Sequence, residues 1–307
     1  MGLGFGGLGF VSQPSAPNSQ SPNLTAHRLQ SRFVNIGVFD SGVGGLSVLR
    51  EMRRLMPNAD MTYLADQANV PYGPRPLSEI QTLTERGARW LVSRGCDVVV
   101  IACNTASAAA LGHVRGIFPS VPFVGMEPAV KPAAIATKTG VIGVFATAAT
   151  LKAARFAGLV DRFASHLRVI EQPCPEWVEC VEKGGTCDAV KAKLWPVLEA
   201  GADALVLGCT HFPFLQIEID AVIAEFGIRN SKFEIHVIDP GPAVARQVMK
   251  VANSHSGGRW LVEAQNLASL PASLQKNTPF FTTGDAVKFE SQARALLGWG
   301  DIRAYGV

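Results

Sequence analysis

Two cysteines in this chain stand where a side chain could do chemistry. Cys103 directly follows the apolar run Asp97-Val-Val-Val-Ile-Ala and leads into Asn104, Thr105, Ala106 and Ser107. Cys209 directly follows Asp203-Ala-Leu-Val-Leu-Gly and leads into Thr210 and His211. Each apolar run reads as a buried strand, which places each thiol at a strand's carboxyl end with polar donors at the start of the next element. One buried cysteine in such a place reads as a small apolar filler. Two at matching positions suggest proton transfer: a thiolate removes a proton from a carbon centre, and a thiol on the other face returns one, so the configuration inverts. Nucleophilic catalysis needs only one cysteine, and zinc needs three or four ligands, so no metal is expected. A free thiol has a pKa of about 8.5, so a thiolate at neutral pH requires a coupled partner such as His211 or Asp40.

Asp40-Ser41-Gly42-Val43-Gly44-Gly45 is a second candidate, a turn between the run IGVF and an amphipathic segment starting near Leu46. Its glycines permit positive φ and close approach of a ligand to the backbone, and its amides can receive a carboxylate. It lacks the ending of a phosphate-binding Walker loop and is not the GxGxxG fingerprint. An ordinary tight turn accounts for the glycines equally well but leaves Asp40 without a task. Asp66 precedes Pro71-Tyr72-Gly73, a rigid turn that could form one wall of a cleft. Taken alone, Asp66 reads as a helix cap or a loop acid.

The elements that must position these residues are short apolar runs, IGVF (36–39), TYLA (62–65), VVVIA (98–102) and PFVG (122–125), separated by segments of helical composition. Strands alternating with helices imply a parallel α/β sheet. The chain also matches itself at an offset of 106 residues. IGVF at 36–39 meets IGVF at 142–145, the Cys103 run meets the Cys209 run, and the strand ending at Asp66 meets LRVIE (167–171) followed by Gln172. Glu127-Pro128-Ala129-Val130 and Asp239-Pro240-Gly241-Pro242-Ala243-Val244 keep the order with a short insertion. Four strands per unit follow. The fold class is α/β, two pseudo-symmetric parallel-sheet α/β domains, with the active site in the cleft that their carboxyl strand ends face.

Residues 1–32 are rich in Gly, Ser, Pro, Asn and Gln without apolar periodicity, and read as a disordered N-terminal extension. The net charge of +3 over 307 residues, with no basic block interleaved with aromatics, gives no reason to expect a nucleic-acid partner. No run approaches the roughly 20 apolar residues of a membrane helix, and the N-terminus lacks a signal peptide's basic start, so a cytoplasmic protein is expected. The six cysteines form no regular framework and are expected to be reduced.

These motifs resemble the glutamate racemase family, within the wider group of aspartate and glutamate racemases, over residues 34–307. The resemblance rests on IGVFDSGVGGLSV (36–48), ADQANVPYG (65–73), ACNTAS (102–107), GMEPAV (125–130), ATAAT (146–150), CPEWVECVEKG (174–184), GCTHFP (208–213) and FFTTGD (280–285), of which the two cysteine motifs together are highly specific. It implies a first domain of residues 33–130 completed by 239–307, a second of 131–238, and neither metal nor pyridoxal phosphate. It implies Cys103 and Cys209 as the acid/base residues, Cys103 acting on D-glutamate and Cys209 on L-glutamate. Asp40 and His211 match assisting positions, while Asp66 and Glu182 match acidic positions of the family site. Asp40, Ser41, Pro71, Tyr72, Gly73, Asn104, Thr105, Thr147, Thr150 and Thr210 match substrate-binding positions, together with Cys103, Cys209 and His211. The implied role is supply of D-glutamate for peptidoglycan, and a homodimer is compatible with it. Met126, Ala149, Phe212 and Glu179 depart from the family's usual residues. Read without the family, Glu182 could be only a surface acid on its helix.

Other readings stay open at this point. The same scaffold could act on aspartate, a hydantoin or a malonate, although Thr147, Thr150 and Thr210 favour an amino-acid carboxylate over a larger ring. A binding module for an acidic metabolite would keep the cleft but has no need of matched thiols. A pyridoxal-dependent racemase would need a lysine in a recognisable motif, and none is present.

Overall fold

The computed structural model describes residues 34–184, 187–229, 234–255 and 278–307; the expected extension, 1–32, lies outside them. The first half of the chain runs β1 (Asn35–Asp40), α1 (Leu46–Leu55), β2 (Asp60–Ala65), α2 (Leu77–Ser93), β3 (Val98–Ile101), α3 (Asn104–Ile117), β4 (Phe123–Gly125) and α4 (Val130–Ala136). It continues through β5 (Val141–Ala146), α5 (Ala148–Lys152), α6 (Ala154–Phe163), β6 (Arg168–Pro173), α7 (Pro175–Lys183), α8 (Ala189–Glu199), β7 (Ala204–Leu207), α9 (Gln216–Arg229) and β8 (His236–Ile238). Then follow α10 (Gly241–His255), β9 (Phe280–Thr282), α11 (Ala286–Leu297) and β10 (Ala304–Gly306).

The strands make two parallel sheets, ordered β10-β9-β2-β1-β3-β4 and β6-β5-β7-β8. Both lie in one compact unit, residues 33–307. The four-residue runs of β3 and β7 are buried throughout, as β-branched and aliphatic strands covered on both faces must be. β6 forms a sheet edge and carries Arg168 and Glu171 there, the usual way to discourage pairing with another chain.

The repeat is visible in the register. Ile36 pairs with Val98 and Phe39 with Ile101, while 106 residues later Ile142 pairs with Ala204 and Phe145 with Leu207. The acid that opens each run has a matching task. Asp97 accepts the Asn35 amide at 3.0 Å, and Asp203 accepts the Lys138 and Thr139 amides at 2.7 and 3.0 Å, fixing the amino ends of the strands.

Three expectations are corrected. Ala65 pairs with Asp40 and Pro173 with Ala146, so the counterpart of Asp66 is Cys174 and not Gln172, because the second unit is two residues longer before its edge strand. The first sheet has six strands and not four, since β9 and β10 add to β2 from the far end of the chain. Finally, Cys180 and Cys187 are joined as a disulfide, where all six cysteines had been expected reduced. Their Cα atoms lie 5.6 Å apart across the short link from α7 to α8, a separation that allows the bond.

Trp177 of α7 is fully buried, stacked on Phe145 at 5.2 Å and edge-on to Phe212 at 4.9 Å. Its indole N–H donates to the Ala189 carbonyl at 3.2 Å. Each such ring pair contributes about 0.5–1.5 kcal/mol beyond its area burial, which docks α7 onto the second sheet. Among the described residues, no helix is long and apolar enough to cross a membrane. Thiol titration of the unfolded, unreduced chain should find four reactive cysteines and six after reduction, whereas six before reduction would contradict the Cys180–Cys187 bond.

Candidate active site

The carboxyl ends of β3 and β7 deliver the two thiols through the same hydrogen bond. Ala102 donates its amide to the Phe39 carbonyl at 2.8 Å, and Gly208 does the same to Phe145 at 2.7 Å, so each cysteine leaves its sheet one residue later. Both are only 6% exposed.

Cys103 caps the amino end of α3. Its sulfur accepts from the Ala106 amide at 3.4 Å and from the Ser41 hydroxyl at 3.6 Å. Burial, and next the charge of Asp40, push its thiol up to about 12, against the opposing pull of those two donors. Cys103 is therefore a protonated thiol at neutral pH.

Cys209 has different company. Its sulfur lies 3.6 Å from His211 Nδ1, and His211 Nε2 lies 2.7 Å from Glu182 Oε1. The same carboxylate oxygen accepts the Val43 amide at 2.9 Å. Burial works against an imidazolium here, but the hydrogen bonds and charges of Cys209 and Glu182 outweigh it and raise His211 well above its ordinary value. Burial likewise opposes the Glu182 carboxylate, yet His211, the Val43 amide and Gln67 hold it below the usual range. Glu182 is thus no surface acid.

The turn after β1 is built around this pair. A Cβ at Gly42 would fall 2.0 Å from Glu182 Oε1, and one at Gly44 would fall 2.4 Å from His211 Nδ1. Neither glycine has positive φ, so the expectation of positive φ is corrected. Close approach is what requires them, and the groups that approach are Glu182 and His211. The expected carboxylate on the turn's amides is likewise the protein's own.

Asp40 is fully buried, accepting from the Gly42 amide at 2.8 Å and from the Thr210 hydroxyl at 3.2 Å. Burial raises its carboxyl, and His211 opposes the rise. Thr105, Thr147 and Thr150 meet in a buried hydroxyl cluster, with Thr147 at 2.9 Å from Thr105 and 3.0 Å from Thr150. The Pro71-Tyr72-Gly73 turn, entered through a cis Val70–Pro71 bond, lies over Thr147 so closely that a Cβ at Gly73 would be 3.4 Å away.

Asp66 is connected less directly. Its carboxylate accepts from the Tyr72 hydroxyl at 2.6 Å, Thr283 at 2.7 Å and Asn69 at 2.9 Å, with the Arg86 guanidinium at 3.4 Å. It holds Tyr72 and leaves the cysteines to others. Burial and Asp66 raise the Tyr72 phenol, which stays protonated and donating.

Asn104 differs from all of these. It is 3% exposed, and neither its amide nitrogen nor its carbonyl oxygen has a partner among the described residues. An unpaired buried amide costs about 1–3 kcal/mol, and this one stands beside Cys103.

Four residues were not singled out from the sequence. Tyr63 donates to the Gly42 carbonyl at 2.9 Å, and Ser47 donates to the carbonyls of Gly44 at 2.9 Å and Thr210 at 2.8 Å, tying the turn to the Cys209 loop. Gln292 donates to the Glu182 carbonyl, and Gln67 donates to Gln292 at 2.8 Å. Ser47 and Tyr63 could have been suspected from their places in the GLSV and TYLA segments; the glutamines carry no local signal. Among the described residues, no group of three or more His, Cys, Asp or Glu is arranged to hold a metal ion.

Residues 36–248 match the family model described as Asp/Glu/Hydantoin racemase. The glutamate racemase of Ectopseudomonas mendocina is 44% identical over 268 residues, 86% of this chain and 94% of that one. Among solved structures, glutamate racemase from Francisella tularensis in complex with D-glutamate aligns with a TM-score of 0.69 at 26% identity, over 90% of this chain and 98% of that one. The Escherichia coli glutamate racemase, in complex with L-glutamate and the activator UDP-MurNAc-ala, also gives 0.69, at 29% identity over 89% and 97%.

The raised His211 and lowered Glu182 make a pH prediction. Stability from His211 is complete below its ordinary value and is lost as pH rises through the raised one; stability from Glu182 is present above its ordinary value and is lost as pH falls through the lowered one. Nitrogen-15 NMR should therefore find His211 still an imidazolium near pH 7.5, about one unit above the unperturbed value. Glu182→Gln should bring its titration down; a neutral ring at that pH in the unsubstituted protein would contradict the pairing.

Proposed function

Because the chain belongs to the Asp/Glu/Hydantoin racemase family, we propose that it interconverts L- and D-glutamate without a cofactor, with Cys103 and Cys209 as the two acid/base groups. The observation that carries this reading is the pair of buried thiols at equivalent strand ends, one of them beside an unpaired Asn104 amide. The relatives that bind L- and D-glutamate support the choice of substrate.

The amino acid lies against the Asn104 amide and the hydroxyls of Thr105, Thr147, Thr150 and Thr210, which receive its carboxylates, while Asp40 and Ser41 face it from the turn. In the resting protein the two sulfurs are unlike. Cys103 is a thiol, and Cys209 faces the raised His211 imidazole at 3.6 Å. Cys209 removes the Cα proton of L-glutamate, and Cys103 gives its own proton to the opposite face. The transient carbanion is stabilised by donors already in place, which need no rearrangement as charge develops.

After one turnover Cys103 is the thiolate and Cys209 the thiol, the state that accepts D-glutamate. The buried Asp40 carboxyl, pushed upward by desolvation, can hold a proton at that moment and spare Cys103 a second negative charge beside it. The reverse reaction, in which Cys103 takes the Cα proton of D-glutamate and Cys209 returns its own, restores the starting form. Supply of D-glutamate for peptidoglycan, in the cytoplasm, completes the proposal.

Circular dichroism of either enantiomer, with metal-free protein and nothing added, should decay to zero. Cys103→Ser and Cys209→Ser should each lower kcat by about 10²–10⁴-fold, the usual worth of a positioned proton-transfer group. Flat traces from both enantiomers, or a Cys209→Ser protein that racemises normally, would overturn the reading.

A further inference from the structure

We infer that Gln292, braced by Gln67, is a positioning residue for proton transfer at Cys209, acting by holding the end of α7 so that Glu182 stays on His211. The inference rests on the proposed function. Glu182 is the second-last residue of α7, where helix carbonyls run out of intrahelical partners. Its carbonyl is taken by the side-chain amide of Gln292, which stands on α11. Gln292 Oε1 in turn accepts from Gln67 Nε2 at 2.8 Å, and Gln67 Oε1 accepts from the Thr282 hydroxyl of β9 at 3.2 Å. One amide thus holds the Glu182 backbone, and the second holds that amide.

The direction of the clamp matters. Trp177 fixes the first turn of α7 to the second sheet, while Thr282 lies on β9 of the first sheet and Gln292 on α11. Glu182 is held between them, against the Val43 amide and with no room behind it at Gly42. A displacement of about 1 Å at such a point is enough to cost up to 10²-fold in rate. The side chains facing His211 that carry charge or titrate are Cys209, Glu182 and Asp40, and Asp40 and Glu182 face Tyr63 in turn. Loosening Glu182 therefore weakens the partner that keeps the imidazolium in place.

The sign of the effect follows. A less stabilised His211 gives up its proton at lower pH, which moves the alkaline limb of the rate profile down. The bell narrows from its alkaline side.

Three proteins decide the matter: the unsubstituted chain, Gln292→Met, which keeps the shape and removes both hydrogen bonds, and Glu182→Gln as the reference. Gln292→Met should lower kcat about tenfold with little change in KM, and the alkaline limb of its kcat/KM profile should move down by about half a unit or more. Gln67→Met should narrow the profile in the same sense by a smaller amount, and it serves in place of Gln292→Met should that variant fail to fold. An unmoved alkaline limb in the glutamine variants, beside a shifted one in Glu182→Gln, would overturn the clamp and leave the role of Glu182 standing. An unmoved alkaline limb in Glu182→Gln would remove the His211–Glu182 reading and the clamp with it.

Discussion

The contact between the turn after β1 and the His211–Glu182 pair constrains more of this molecule than any other. One carboxylate oxygen accepts from the Val43 amide and pairs with the imidazole that faces Cys209. For that to happen the turn must present a bare backbone, so Gly42 and Gly44 admit no side chain. The helix bearing Glu182 must then be docked by Trp177, and the loop bearing His211 must be tied by Ser47. A buried carboxylate and imidazole are costly to desolvate and are tolerated only with their hydrogen bonds made. Here they are made by the Val43 amide, by Cys209 and by the two groups to each other.

This arrangement breaks the symmetry that the repeat establishes. The backbone delivers two cysteines identically, through matching amides to Phe39 and Phe145. The side chains then give one sulfur a hydroxyl and a helix amide, and the other an imidazole–carboxylate pair. A reaction whose forward and reverse directions differ only in configuration needs two proton carriers in opposite states, and burial beside Asp40 holds Cys103 in the protonated one. Duplication supplies the matched geometry, and divergence supplies the unlike surroundings.

Much of this could be read from the chain alone, for definite reasons. The buried runs of β3 and β7 are short, aliphatic and unbroken, so their strand character and the place of the following cysteine at the strand's carboxyl end are local properties. The repeat of IGVF marks β1 and β5 as equivalent strands of two matching units, and their pairings match in turn. Less could be read where the cause is distant. β9 and β10 have three residues each, too few for a period, and they belong to the first sheet only because β2 has a free side. Gln67 and Gln292 are 225 residues apart and meet through tertiary packing that no spacing rule reports. The Cys180–Cys187 bond was missed because compartment and chain size argued for thiols, whereas the local turn between α7 and α8 decides the distance.

The central claim is that two groups, not one, exchange protons with the substrate carbon, and isotope exchange during the first turnovers tests it most directly. With L-glutamate in D₂O, deuterium should appear at Cα of the D-glutamate formed while the remaining L-glutamate keeps its protium. Deuterium entering the remaining L-glutamate as fast as it enters the product would mean a single base on one face, and would contradict the account.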